Sequence, residues 1–99
     1  MKIMLVCAGG ASTSILLKKM QVFANAEGIN LKIVAVGIGS YEDSYSKYDV
    51  ILLGPQISYQ KRTIEENTNK PVAVIAPYDY AVGNVQNIFK QVNEVLKKK

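Results

Sequence analysis

Four short runs of branched apolar residues, at 3–6, 31–36, 50–53 and 72–76, each close on Cys, Gly or Pro and restrict the chain to a narrow set of folds. Rich in Val, Ile and Leu and lacking polar alternation, they read as strands buried on both faces. Such strands need a covering layer on each side, and the segments between them can supply it. Residues 14–27 carry Leu16, Met20, Phe23 and Ala24 at helical spacing, and Gly28 stands where that helix would end. Near the other end, Val85, Ile88, Phe89, Val92 and Leu96 form an apolar stripe, while Gln86, Lys90, Asn93 and Lys97 face away, which predicts a closing amphipathic helix. Segments 39–48 and 58–67 are polar with scattered apolar positions, and each has room for a short crossover helix.

Strand and helix therefore alternate. Parallel strands require such crossovers, and the crossovers are right-handed. The expected fold is α/β: a four-stranded parallel sheet in the order 2-1-3-4 within a three-layer α/β/α sandwich. That order places the first strand centrally, with a topological switch beside it, where open parallel sheets bind ligands at the carboxyl ends of their strands. With 99 residues, 48% of them hydrophobic, residues 1–99 are expected to form one domain. No internal repeat or linker interrupts them. No apolar run approaches the roughly 20 residues that span a bilayer. Met1-Lys2-Ile3 leads straight into a strand rather than a signal peptide, so a cytoplasmic protein is expected.

Residue types narrow the chemistry further. A single cysteine cannot form an internal disulfide, and the absence of histidine removes the usual ligand mixture of transition-metal sites. Neither a metal nor a cofactor is expected. The commonest general base is missing as well, so any nucleophile must be activated by its backbone setting. The net charge of +4 owes much to Lys97-Lys98-Lys99, which complement the negative end of a helix rather than forming a basic stripe, so no nucleic acid is expected as partner.

The loop after the first strand concentrates what remains. Cys7-Ala8-Gly9-Gly10-Ala11-Ser12-Thr13-Ser14 joins strand to helix. Gly9 and Gly10 permit positive φ, and small residues throughout allow successive backbone N–H groups to converge as a nest that continues into the positive helix terminus. Ser12, Thr13 and Ser14 add hydroxyl donors, one of them suited to capping the helix. A field that binds phosphate also favours a thiolate, and a Cys7 thiolate in a phosphate cradle is a phosphoryl acceptor. As a plain small hydrophobe at a strand end, Cys7 would have no use for the cradle.

The pattern Cys7-x-x-Gly10-x-Ser12-Thr13-Ser14 after an apolar strand, then Leu52-Leu53-Gly54-Pro55-Gln56-Ile57, then Asn69-Lys70-Pro71-Val72, resembles the lactose/cellobiose IIB family of the bacterial sugar phosphotransferase system nearly end to end. The resemblance implies a four-stranded fold similar to low-molecular-weight tyrosine phosphatases. It implies that Cys7 takes phosphate from a phosphohistidine on a IIA protein and gives it to a β-disaccharide of the cellobiose, chitobiose or lactose class. That sugar is moved by a membrane IIC permease, so the carrier would work in the cytoplasm and transiently at the inner membrane face.

Two other readings stay open on the residues. A small cysteine-dependent phosphatase or arsenate reductase shares the fold, but where its pattern places an arginine after the cysteine this chain has Thr13, losing a bidentate phosphate clamp. Asp79 could still imitate a phosphatase general acid, or be a solvated loop acid. A non-catalytic module holding a phosphorylated ligand in the same nest is the other reading.

Gly54, Pro55 and Gln56 follow the third strand, and Tyr78, Asp79 and Tyr80 follow the fourth, so both loops should share the Cys7 edge and form a possible rim. Of six tyrosines, Tyr41, Tyr45 and Tyr48 cluster in one connection, where half-buried positions under a loop suit them better than an interface. Lys18 and Lys19 lie in the first helix, where they could steer an acidic partner or simply face solvent.

Overall fold

The structure, a computed structural model, describes residues 1–8 and 12–97; the side chains of Ser12, Thr13 and Ser14 stand outside the description. The chain runs β1 (Lys2–Cys7), α1 (Ser12–Ala26), β2 (Lys32–Gly37), two single 3-10 turns (Tyr41–Asp43 and Tyr45–Lys47), β3 (Val50–Leu53), a 3-10 segment (Pro55–Gln60), α2 (Lys61–Thr68), β4 (Val72–Val74), α3 (Pro77–Val82) and α4 (Val85–Lys97). The strands form one parallel sheet in the order β2-β1-β3-β4, as expected from the alternation of elements. In register, Ile3 faces Ile33 of β2 and Val50 of β3, and Ile51 faces Val72 of β4.

Strand periodicity divides the core in two. Ile3, Leu5, Val50, Leu52, Ala73 and Ile75 point to one face, where they meet Leu16, Met20 and Ala24 of α1 and Ile88, Phe89 and Val92 of α4. Phe23 and Phe89 stack at 5.3 Å between ring centroids and join the two helices. Met4, Val6, Ile51, Leu53 and Val72 point to the other face, against Tyr41, Ile57 and Ile64 of α2. The residues of β3 and those from Ile3 to Val6 of β1 are fully buried, as central parallel strands must be.

Three expectations change. The run at 31–36 gives β2, but Ile33 to Gly37 are only half-buried, because β2 is an edge strand. The crossover at 39–48 forms two 3-10 turns split at Ser44 (φ −145°) rather than an α-helix. Its Ser, Tyr and Asp residues are weak helix formers, and the buried Tyr41 is its anchor. The stretch after the fourth strand is not a loop: Pro77 opens α3 at its first turn, and Gly83 ends it in the left-handed region at φ 68°. Among the described residues no helix is long and apolar enough to cross a membrane.

Candidate functional site

Cys7 is the last residue of β1, paired with Gly37 of β2, and sits at the carboxyl edge of the sheet. The chain passes from β1 to β2 on one side and then crosses to β3 on the other, so this end of β1 is the topological switch. Cys7 is 7% exposed, and its Sγ donates a hydrogen bond to Val36 O at 3.5 Å. That partner lies on a neighbouring strand, 29 positions away, and nothing in the residue pattern announces it. The next residue, Ala8, is exposed. Gly9, Gly10 and Ala11 lie outside the described residues, as do the side chains of Ser12, Thr13 and Ser14, while the backbone of those three forms the start of α1.

The two rim segments do come together at this edge. Gly54 donates its N–H to Val6 O at 3.0 Å, tying the end of β3 to the residue before Cys7. A Cβ on Gly54 would stand 2.9 Å from Gln56 Oε1, 3.9 Å from Tyr80 Cε1 and 3.9 Å from Val6 O, so Gln56 folds back over the glycine and the Tyr80 ring lies beside it. Pro55 begins the 3-10 segment that leads to α2. Tyr80 packs on the α1/α4 side of the core, whereas Tyr78 is 71% exposed.

Asp79 is drawn elsewhere. Its Oδ1 accepts a hydrogen bond from Asn87 Nδ2 at 3.2 Å, and its carbonyl accepts from Asn84 N at 2.9 Å, so it fastens α3 to the start of α4. The first tyrosine group takes the buried role: Tyr41 is 4% exposed and its hydroxyl accepts from Asn67 Nδ2 at 3.0 Å, while Tyr45 and Tyr48 pack partly buried beside it. A basic residue also enters the neighbourhood from α1. Lys19 Nζ lies 2.7 Å from the point a Gly83 Cβ would occupy, so its side chain crosses the end of α3. A cavity of about 270 Å³ opens there, lined by Leu16, Lys19, Tyr80 and Gly83 among others.

Comparison with known proteins adds independent findings. The family described as "PTS system, Lactose/Cellobiose specific IIB subunit" matches residues 2–97. The oligo-beta-mannoside-specific EIIB component of the Bacillus subtilis phosphotransferase system is 33% identical over 93 residues, covering 91% of this chain and 90% of that protein. A lactose-specific EIICB component of Staphylococcus aureus is 26% identical over 68 residues, which span 69% of this chain and 12% of that longer protein. The solution structure of a cellobiose-specific phosphotransferase IIB component from Borrelia burgdorferi superposes with a TM-score of 0.81 at 30% identity, covering 100% of this chain and 94% of that one.

Proposed function

Because the chain belongs to the lactose/cellobiose-specific IIB subunit family of the phosphotransferase system, we propose that Cys7 carries the phosphoryl group this system moves onto sugar. Membership makes it a phosphotransferase component that works with a IIA donor and a membrane IIC partner. The observation that carries the assignment to Cys7 is its position: the chain's one cysteine ends a central strand at the switch point, with Gly54 bonded to the residue before it and Tyr80 beside Gly54.

The proposed reaction has two balanced steps. The Cys7 sulfur attacks the phosphorus of a IIA phosphohistidine, a P–S bond forms as the P–N bond breaks, and the thiol proton ends on the released imidazole. A sugar hydroxyl bound at IIC then attacks the same phosphorus; the P–S bond breaks, and the hydroxyl proton returns to the thiol. The sulfur that donates to Val36 O as a thiol has no hydrogen to donate once phosphorylated, so that hydrogen bond is lost when the P–S bond forms. The backbone N–H groups of the loop from Ala8 to Ser14 and the start of α1 are the proposed phosphate cradle.

Loss of the phosphoryl group to water is disfavoured by what the chain lacks. It has no histidine, and its only arginine, Arg62, lies on α2, where it pairs with Glu66 at 3.3 Å. No guanidinium is thus committed to clamping a phosphate for hydrolysis. The proposed acceptor is a β-linked disaccharide, the class suggested by relatives named for oligo-beta-mannoside, cellobiose and lactose. The proposed place of work is the cytoplasmic face of the membrane, within reach of IIC.

The test is intact mass after incubation with phosphoenolpyruvate, the general phosphotransferase proteins and IIA. One phosphoryl adduct that requires IIA and is absent from Cys7→Ala is expected. Absence of the adduct, with release of phosphate from an aryl phosphate, would replace the carrier by a phosphatase. Phosphate binding by the parent chain that yields no adduct with any IIA, and is undiminished in Cys7→Ser, would replace it by a binding module.

A further inference from the structure

The sheet ends at β2 on one side and at β4 on the other, and its two edges are covered differently. Ile33 to Gly37 of β2 are half-buried, whereas Val72 and Ala73 of β4 are each 3% exposed. Backbone direction shows what needs covering at β4. Pro71 O accepts from Ile51 N at 3.0 Å and Ile75 N donates to Leu53 O at 2.9 Å, so residues 71, 73 and 75 turn their polar groups toward β3. The N–H and C=O groups of Val72 and Val74 therefore point out of the sheet, where no strand among the described residues receives them.

Side chains from both flanking helices close over these groups. Gln91 of α4, one position before the buried Val92, donates its Nε2 to Val74 O at 2.6 Å. A groove of about 530 Å³ lies along the strand, lined by Gln91 and Val95 on the α4 side and by Lys61 and Glu65 on the α2 side, the last two paired at 3.4 Å. The flanks are engaged as well. Lys70 donates its N–H to Thr68 Oγ1 at 3.2 Å, and Ala76 O accepts from Tyr80 N at 2.9 Å. Any strand laid along the whole of β4, parallel or antiparallel, would need Val74 O as an acceptor, and Gln91 already occupies it.

We propose that Gln91 is an edge guard: its side-chain amide stands in for the N–H of a fifth strand and keeps the β2 edge of a second copy of this chain from pairing with β4. Unpaired edges are templates for strand addition, and proteins with open sheets block them with side chains. The excluded occupant is β2 because β2 is the less covered edge and, laid parallel on β4, it would continue the same sheet from one copy into the next. Each copy joined in this way would still present one free β2 and one free β4, so the contact would not close on itself and would grow as an open series. Guarding β4 alone is enough to stop that growth. The device does not depend on the role of Cys7.

The experiment measures the mass of the full chain by light scattering and sedimentation over a concentration series, with thermal melts to report folding. Gln91→Met removes the donor at nearly constant volume, and Gln91→Lys keeps a donor. Gln86→Met makes the first change at an exposed position of α4 outside this groove. Gln91→Met should associate at a concentration about tenfold below that of the parent, the shift one hydrogen bond supports, and its mass should climb past the dimer. Gln91→Lys and Gln86→Met should follow the parent. Equal association of Gln91→Met and parent, with or without a lower melting temperature, overturns the proposal and leaves Gln91 a bond of the fold alone. An equal shift in Gln86→Met overturns it too, since added apolar surface would then be the cause. A mass that stops at the dimer would assign β4–β4 pairing across a two-fold axis and overturn β2 as the occupant. In the parent, the Gln91 side-chain amide should exchange with solvent more slowly than that of Gln86, and equal rates overturn the proposal without any variant.

Discussion

Cys7 combines near-complete burial with a place at the carboxyl end of a central strand. Replacing its thiol by a hydroxyl keeps a donor for Val36 O, so Cys7→Ser should shift stability by less than about 1 kcal/mol in urea titration while abolishing the adduct in mass analysis. Gly54 and Gly83 should respond differently to an added methyl group. Gly83 holds φ 68°, and its Cβ would meet the Lys19 ammonium, so Gly83→Ala should cost about 1–2 kcal/mol from backbone strain. Gly54 has ordinary backbone angles, and its closest obstacle is the end of an exposed glutamine. Gly54→Ala should therefore cost less than about 1 kcal/mol, and the comparison of the two urea midpoints checks the difference.

At the scale of elements, α1 covers one face of the sheet through Leu16, Met20 and Ala24. Met20 is fully buried between α1 and the strands, and Met20→Ala should cost about 2–5 kcal/mol by removing its packing and leaving a cavity. α2 is held from a different direction. The Tyr41 hydroxyl, in the first 3-10 turn, accepts from Asn67 near the end of α2, and Tyr41→Phe should cost about 1 kcal/mol because the amide loses a partner in a half-buried place. The Lys61–Glu65 and Arg62–Glu66 pairs on the same helix are exposed and screened, and contribute little beside these contacts.

For the molecule as a whole, the order β2-β1-β3-β4 places Cys7 at the end of a strand that is paired on both sides. β1 and β3 pair on both sides and lie under helices, while β2 is half-buried along most of its length. Native-state hydrogen exchange should accordingly be slowest in β1 and β3 and faster in β2; equal protection across the sheet would show that β2 opens only with global unfolding. A central strand paired on both sides suits the proposed role of Cys7, which would present one sulfur to two proteins in turn.

The residue pattern alone determined the alternation of strand and helix and the parallel sheet with its order, because these depend on local periodicity and on spacing along the chain. It also carried the family motifs, which lie in contiguous stretches such as Leu52 to Ile57. Tertiary packing decided what periodicity cannot encode. The edge position left β2 half-covered, and the burial of Tyr41 anchored the crossover at 39–48 as two 3-10 turns. Pro77 and Gly83, read along the chain as loop residues, instead bound a helix whose carboxylate at Asp79 turns to Asn87. The Val36 partner of Cys7 and the passage of Lys19 over Gly83 exist only where distant segments meet, since each joins residues far apart in the chain through contacts that the folded sheet and its helices create.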